Sequence, residues 1–326
     1  MIAQMLAVIG STVIFAAAPA SGGVPPALEP LPMVPGQPVE LGAVRWGRDF
    51  EEAARRATES RRPLLVLFDE VPGCHNCTSF GENVLTNALV VEAAETLFVP
   101  VAVYNNKGGE DARVLKRFNE PAWNNPVVRV IDPRSEKDLA PRVSETYAPA
   151  PVAAAMRAAL RAGGSEPPVW LGLLADSAPE KTETATFAMF CFWEGEAKLG
   201  SLDGVLSTSA GFLDGRECVT VEFDPERLPF RTLVQRARTL DCLHRVYTTT
   251  AEQQLTASGL VGADARRAVG PARVSESDTS YRLRHSDYAA VPMTPTQATR
   301  VNAALAAGEN PDRFLSPRQL EKKRVR

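Results

Sequence analysis

The stretch LLVLFDEVPGCHNCTSF, residues 64–80, joins a continuous apolar run to two cysteines three positions apart. Leu64–Phe68 is apolar at every position, which is typical of a strand that is buried on both faces. Phe80, Val84 and Leu85 follow at helical spacing. The stretch therefore predicts a buried strand that leads directly into a helix, with both cysteines at the junction.

Strands and helices alternate on both sides of this junction. Asp49 can cap a preceding helix, and the apolar runs Phe98–Tyr104 and Val127–Ile131 predict two further strands. Short helices are expected at Asp111–Phe118 and Val152–Leu160. This alternation implies an α/β fold with a parallel or mixed sheet that is covered on both faces.

A second thiol motif, Cys191-Phe192-Trp193, follows the strand pattern Thr186–Phe190. Further strands are predicted at Val205–Phe212 and Cys218–Phe223, whereas the Gly, Ala, Arg and Ser content of Leu255–Ser280 indicates a loop. The helices predicted in this part of the chain are Trp193–Leu199, the segment from Phe230 to Ala237, and Thr296–Ala307.

Composition divides the 326 residues into six predicted segments. Proline and glycine are concentrated at two places, which indicates linkers. The predicted segments are a signal peptide at 1–20, a proline-rich linker at 21–43, an α/β domain at 44–160, a linker at 161–183, an α+β domain at 184–308 and a charged tail at 309–326.

The N-terminal residues predict export from the cytoplasm. No charged side chain precedes Glu29, and Met1–Ala18 is mostly apolar and ends in small residues, as in secretory signal peptides. An uncleaved membrane anchor is the alternative, and both place the folded part outside the cytoplasm, in the periplasm or secreted. The net charge of −3 does not indicate a nucleic-acid partner. Five cysteines are an odd number, so at least one is free or pairs transiently.

Cys74 and Cys77 are predicted to form a catalytic redox pair. A cysteine at a helix N-terminus meets unpaired backbone N–H groups, which stabilise its thiolate. Half of a zinc site and a static disulfide are the alternatives. A second ligand pair is missing, and His75 is the only histidine nearby. We therefore expect neither a metal nor a cofactor.

The motif FDEVPGCHNCTSF, with Asn125-Pro126 before a later strand, resembles a thioredoxin-like domain of the VPGC-x-x-C type. The resemblance covers residues 44–160. It implies that Pro126 is cis, lies beside the dithiol and contacts substrate. The chain lacks the Trp before the first cysteine and the Gly-Pro between the two cysteines. The resemblance therefore does not fix the reduction potential or the direction of electron flow.

From Cys191 the chain runs CFWEGEAKLGSLDGVLSTSAGFLDGRECVTVEFDP, which resembles peptide methionine sulfoxide reductase A over residues 184–240. The resemblance implies that Cys191 attacks the sulfoxide sulfur and that Glu217 protonates the leaving oxygen. It also implies that Phe192 and Trp193 bind the substrate methyl group.

The chain departs from that family at several positions. Phe190 and Glu194 replace glycines that flank the family motif, and Phe212, which we expect to contact substrate, replaces a tyrosine. The family's later Asp and Gln-Tyr-Arg-Ser segment is not found. Asp278 and Tyr281 resemble it only faintly and at a different spacing. Two groups that assist the acid step are therefore expected to be missing or relocated.

Cys242, which follows a predicted helix, is the preferred thiol for resolving an oxidised Cys191. Cys218 is a second candidate, but strand alternation places it on the face opposite Glu217, which predicts burial. Direct attack by Cys74 and a static disulfide between Cys218 and Cys242 remain alternatives.

Together these patterns predict an extracytoplasmic thiol-dependent reductase. It would reduce methionine sulfoxide in an oxidised protein or peptide with electrons from its own CxxC domain. An upstream thiol reductant, with a membrane electron conductor as one candidate, would recharge the dithiol. The alternatives are a thiol–disulfide oxidoreductase whose C-terminal domain only binds partners, and a surface protein with an inert disulfide.

Overall fold

The computed structural model describes residues 26–323, and the predicted signal peptide at 1–20 lies outside them. Within residues 26–323 the strands form one sheet of three strands and one of six. We call residues 26–175, which surround the smaller sheet, the first lobe, and residues 183–323 the second lobe. In the described part of the chain no helix is long and apolar enough to cross a membrane.

The first lobe contains a mixed sheet with helices on both faces. Its strands are β1 (Leu64–Asp69), β2 (Val99–Tyr104) and β3 (Val127–Ile131), and its helices are α1 (Phe50–Ser60), α2 (His75–Asn83), α3 (Ala88–Leu97), α4 (Glu110–Arg117), α5 (Pro149–Ala162) and α6 (Val169–Ala175). The strand order is β2-β1-β3, with β1 parallel to β2 and antiparallel to β3. All six residues of the central strand are buried, as the continuous apolar run predicted.

Side-chain caps fix where two helices of the first lobe begin. Asp49 accepts a hydrogen bond from the backbone N–H of Glu52 at the start of α1, where its cap was predicted. Asn87 accepts from the N–H groups of Leu89 and Val90 and so starts α3. Helix α3 was not predicted from the sequence, because most of this helix is buried and it lacks a polar face.

The second lobe has a largely antiparallel sheet with the order β8-β7-β4-β6-β5-β9. Its strands are β4 (Glu183–Ala188), β5 (Val205–Leu213), β6 (Arg216–Phe223), β7 (Arg245–Thr248), β8 (Ala265–Arg267) and β9 (Arg273–Val274). Its helices are α7 (Phe192–Gly200), α8 (Phe230–Thr239), α9 (Ala251–Val261), α10 (Tyr281–Arg284), α11 (Pro295–Ala306) and α12 (Pro317–Leu320). This is the α+β arrangement expected for the second part of the chain.

The structure differs from the sequence predictions in segments that were expected to be irregular. The predicted linker at 161–183 contains α6, and the predicted loop at 255–280 begins inside α9. Within 21–43, Val39–Leu41 forms a 3-10 turn that packs against α2. The predicted tail at 309–326 contains α12, and Ser316 is fully buried. Each segment carries a few apolar side chains that bury only against distant parts of the chain, so local composition did not reveal them.

A buried carboxylate joins the two lobes. Glu92 on α3 is 2% exposed and accepts hydrogen bonds from the hydroxyl of Ser316 and, at 3.0 Å, from the backbone N–H of Arg318. Asp176, which follows α6, pairs with Arg227 of the second lobe at 2.6 Å. The relative position of the lobes is therefore held by directional polar contacts.

We expect Glu92→Ala to lower the free energy of unfolding by about 1–3 kcal/mol, because the buried hydroxyl of Ser316 and the half-buried N–H of Arg318 lose their acceptor. Glu82→Ala on α2 removes an exposed carboxylate and is the matched control, with an expected change within about 0.5 kcal/mol. Urea denaturation of both variants measures the difference. Equal midpoints for the two variants would show that this contact adds nothing to stability.

Candidate redox sites

The first thiol pair, Cys74 and Cys77, lies at the start of α2, shortly after the end of β1. Cys74 is the N-cap residue of α2 and is exposed, whereas Cys77 lies one turn into the helix and is buried. Their Sγ atoms are 3.7 Å apart, so both are free thiols. Gly73 is needed here, because a Cβ at this position would lie 2.3 Å from the carbonyl oxygen of Glu70. The tight turn at Gly73 thus leads directly into the N-cap position that Cys74 occupies.

The environment gives the two thiols different acidities. The backbone N–H of Cys77, and then that of Asn76, lower the pKa of Cys74. Burial, followed by the carboxyl group of Asp69, raises the pKa of Cys77. Cys74 is therefore the nucleophile of the pair, and Cys77 keeps its proton until a mixed disulfide must be resolved.

Asp69 is a buried carboxyl group behind the dithiol that the sequence analysis did not select. Burial raises its pKa to about 7. Its Oδ1 accepts from the backbone N–H of Glu70 at 2.9 Å, and its buried Oδ2 has no hydrogen-bond partner. The sequence does show an acidic residue at the end of an otherwise apolar strand, and this pattern could have identified Asp69 as a candidate site residue. Near neutral pH this buried group can therefore gain or lose a proton, and its proximity raises the pKa of Cys77.

The Asn125-Pro126 peptide bond is cis, as the resemblance implied, and so is the bond before Pro72. The Sγ of Cys77 donates a hydrogen bond to Oδ1 of Asn125 at 3.0 Å. Trp123, two residues earlier, is 81% exposed. The structure therefore places the Pro126 segment beside the dithiol and leaves an aromatic side chain free at its edge.

The second thiol site repeats the strand-to-helix junction. Cys191 is the half-buried N-cap residue of α7, three residues after β4 ends, and Phe190 before it is 88% exposed. Gly195 lets α7 pack closely against the side chain of Met189, because a Cβ at position 195 would lie 1.7 Å from Sδ of Met189. The residues that line a cavity of about 270 Å³ at this junction are Phe190, Cys191, Glu194, Gly195, Lys198, Asp241, Cys242 and His244.

Glu217 lies next to the Cys191 backbone. Its Oε2 accepts a hydrogen bond from the N–H of Phe192 at 3.0 Å, so the carboxyl group sits at the N-terminus of α7. Strand β6 supplies Glu217 and pairs it with Phe212 on β5. The structure thus brings the predicted nucleophile and the predicted acid to one helix start.

An aromatic cluster extends from this helix start. The ring centroids of Phe192 and Phe212 are 5.5 Å apart, and those of Phe192 and Trp193 are 5.9 Å apart. Tyr281 stacks on Trp193 at 4.4 Å, and the indole N–H of Trp193 donates to Asp278 at 3.0 Å. Asp278 and Tyr281, which the sequence analysis treated as a faint match, therefore do reach the site. Their spacing from Cys191 is unusual, and only the fold of the loop after β9 brings them to Trp193.

Glu196 ties this loop to α7. Burial raises its pKa to about 8, and its Oε2 accepts from the backbone N–H of Ser280 at 2.8 Å. Oε1 lies 3.5 Å from the hydroxyl of Thr208 on β5. Glu196 lies within the stretch that resembles the reductase family, and in the structure it holds the segment that carries Tyr281.

Both remaining cysteines are buried. Cys242 is 1% exposed, shares the cavity with Cys191, and its pKa is raised to about 11 by burial. Burial also raises the pKa of Cys218 to about 11, and this residue lies on β6 without access to the cavity. All five cysteines, which lie within the described residues, are free thiols. The structure thus places Cys242, but not Cys218, in the cavity that contains Cys191.

The two thiol sites remain separate in this arrangement of the lobes. Among the described residues, those lining the Cys191 cavity all belong to the second lobe. Ser201, at the C-terminal end of α7, lines a common cavity with Arg157 of the first lobe. Nine residues of helix span about 13 Å, so the length of α7 lies between Cys191 and that shared cavity.

Comparison with known proteins supports both resemblances. Residues 45–133 match the family model described as thioredoxin-like. These residues are thioredoxin-like. Among solved structures the chain is similar to a DsbH oxidoreductase, with a TM-score of 0.32 and 17% identity over 40% of this chain and 92% of that chain. It is also similar to a thioredoxin from Thermus thermophilus, with a TM-score of 0.33 and 22% identity over 37% of this chain and 90% of that chain.

Part of the chain is similar to peptide methionine sulfoxide reductases. It is 38% identical over 74 residues to peptide methionine sulfoxide reductase A5 of Oryza sativa subsp. japonica, covering 19% of this chain and 29% of the relative. It is 31% identical over 117 residues to the MsrA of Salinispora arenicola, covering 26% and 53%. It is 36% identical over 74 residues to the mitochondrial enzyme of Bos taurus, covering 18% and 32%. The matches span about half or less of the length of these curated relatives.

We expect iodoacetamide at pH 7 to modify Cys74 more than about tenfold faster than Cys77 or Cys242, because only Cys74 is both exposed and lowered in pKa. Peptide mapping by mass spectrometry after timed quenching measures the three rates. Comparable rates at Cys74 and Cys77 would contradict the assignment of Cys74 as nucleophile.

Asp69 should make stability depend on pH. Its pKa is raised from 3.8 to about 7 on folding, so the folded state holds this proton more tightly. The resulting stability is complete below pH 3.8 and is lost as the pH rises through 7, by up to about 4 kcal/mol. Asp69→Asn should remove this loss, and Asp264→Asn, at an exposed position, is the control. Urea denaturation from pH 4 to pH 8 tests this, and parallel curves for wild type and Asp69→Asn would refute it.

Proposed function

We propose that this protein is a thiol-dependent oxidoreductase that acts on sulfur groups, and that Cys191 reduces methionine sulfoxide. The observation that carries the proposal is the position of Cys191 at the N-terminus of α7, with Glu217 bonded to the next backbone N–H at 3.0 Å. A nucleophile and a carboxyl group at one helix start suit attack on a sulfoxide sulfur and protonation of its oxygen. The partial similarity to methionine sulfoxide reductases supports the same substrate.

The proposed reaction has three steps. Cys191 attacks the sulfoxide sulfur, takes over its oxygen as a sulfenic acid and releases methionine. The thiol of Cys242 then condenses with the sulfenic acid, giving a disulfide and water. Finally, Cys74 attacks that disulfide and Cys77 completes the exchange, so the two electrons come from the CxxC pair, which becomes a disulfide.

The second step is expected to be slow near neutral pH. Cys242 shares a cavity with Cys191, but burial raises its pKa to about 11, so little thiolate is present. Opening of the cavity would both expose Cys242 and lower that pKa. The sulfenic acid on Cys191 should therefore live long enough to be trapped.

The third step needs a change in the arrangement of the thiols. Since no first-lobe residue lines the Cys191 cavity, Cys74 must arrive by movement of the lobes or from a second copy of the chain. Mixing Cys74→Ser with Cys191→Ser protein distinguishes these routes. Activity restored in the mixture indicates transfer between copies, and no restoration indicates movement within one chain.

We further propose an extracytoplasmic location and a protein or peptide substrate. The apolar N-terminal residues before Glu29 support export. Phe190, which is 88% exposed at the cavity, offers an apolar contact to an extended chain. The dithiol would be recharged by an upstream thiol reductant, for which a membrane electron conductor is the candidate partner.

We expect the full chain to reduce a methionine sulfoxide peptide in the presence of dithiothreitol, and Cys191→Ser to lose at least about a thousandfold in rate. Cys218→Ser is the matched control and should retain activity, because Cys218 lies outside the cavity. Product methionine is measured by chromatography. Absent turnover, or turnover undiminished in Cys191→Ser, would remove the proposal.

A second candidate function is thiol–disulfide exchange with partner proteins. Tyr281 stacks on Trp193 and so occupies one face of the expected methyl-binding site, which favours a second lobe that binds without catalysis. In that case the Cys191→Ser protein should reduce insulin disulfides as fast as wild type, Cys74→Ser should not, and neither wild type nor variant should reduce the sulfoxide.

A further inference from the structure

Two sulfur atoms and a carboxylate converge at the start of α2. The Sγ atoms of Cys74 and Cys77 and a carboxylate oxygen of Glu70 all lie within 4.8 Å of one another. The two sulfurs are 3.7 Å apart. Two thiolates on one tetrahedral zinc ion, each at about 2.3 Å, are themselves about 3.8 Å apart. The reduced pair therefore already has the separation that a shared zinc ion requires.

We infer that reduced Cys74 and Cys77, together with Glu70, form a reversible binding site for one zinc(II) ion. The spacing of the two cysteines indicated at most half a zinc site. Glu70 supplies the third ligand, because the tight turn at Gly73 folds the end of β1 back beside the first turn of α2. A small rotation of this half-buried side chain brings its oxygen to the ion.

The surroundings of the thiols favour a divalent cation. Glu40 is 4% exposed, and its Oε1 accepts from the N–H of Gly73 at 2.6 Å, directly behind the turn. Asp69 is buried at the end of β1 and accepts from the N–H of Glu70. The carboxyl groups of Glu40 and Glu70 therefore lie at the turn that carries the sulfurs, and a bound cation would be attracted by their charge.

The geometry indicates an exchangeable ion rather than a structural one. Cys74 is exposed, so one side of the ion would face solvent. The ring of His75 lies along α2 with Nε2 3.4 Å from the hydroxyl of Ser79, away from the sulfurs. Three protein ligands leave the fourth position to water, as in zinc sites that are open to exchange.

Zinc binding and electron transfer exclude one another at this site. The ion requires both sulfurs as thiolates, whereas the disulfide form of Cys74 and Cys77 has no thiolate to offer. Bound zinc would hold the dithiol reduced and prevent attack by Cys74. The site uses no residue of the second lobe, so the inference goes beyond sulfoxide reduction and does not depend on it.

The experiment is a zinc chloride titration of the reduced full-length protein in competition with a chromophoric zinc chelator. We expect one zinc ion per chain, no binding after oxidation of the dithiol, and no binding in Cys74→Ser. Glu70→Gln should bind at least about tenfold more weakly. Glu82→Gln on the exposed surface of α2 is the matched control and should bind like wild type. Circular dichroism confirms that each variant is folded.

The outcomes separate this inference from the proposed enzyme activity. Cys191→Ser should bind zinc normally even though it cannot reduce a sulfoxide. Zinc should also slow the alkylation of Cys74 by iodoacetamide at least about tenfold in wild type and less in Glu70→Gln. Equal zinc affinity in the reduced and oxidised proteins, or in wild type and Glu70→Gln, would overturn the inference.

Discussion

Both thiol sites depend on one backbone constraint, the unpaired N–H groups at the start of a helix that directly follows a buried strand. Cys74 caps α2 and Cys191 caps α7, each in an extended backbone conformation. At Cys74 these N–H groups lower the pKa of the thiol, and at the start of α7 one of them holds Glu217 in place. The rest of each lobe serves to bury the preceding strand and to fix the helix that follows it.

The same fold gives the thiols unequal roles through burial. Cys77 lies one turn deeper than Cys74, and burial together with Asp69 raises its pKa. Cys242 shares a cavity with Cys191 but has its own pKa raised to about 11 by burial. In each pair an accessible sulfur is therefore matched with a protected one. Such pairs restrict reaction with solvent oxidants while keeping the second thiol within reach of the first.

Sequence patterns correctly predicted the helices and strands that are marked by neighbouring residues, such as an apolar run or a helix cap. The apolar run ending at Phe68 and the cap at Asp49 gave β1 and α1, and the strand at Val127–Ile131 has the bounds that were predicted. Helix α3 and the tail after residue 309 were missed, because their burial depends on partners far away in the chain. Tertiary packing decides such segments, and local periodicity carries little information about it.

At the candidate sites, too, the residues that the sequence did not reveal are those without a recognisable local pattern. Asp69 was overlooked because one acid at a strand end has no distinctive spacing, and Tyr281 was discounted because its distance along the chain from Cys191 is unusual. Glu92 also has a partner that is distant in the sequence. It lies 224 positions before Ser316, whose hydroxyl donates a hydrogen bond to it. During synthesis Glu92 leaves the ribosome long before Ser316, so this acceptor stays exposed to water until α12 has emerged. Docking of α12 onto α3 therefore comes after the first lobe has been synthesised.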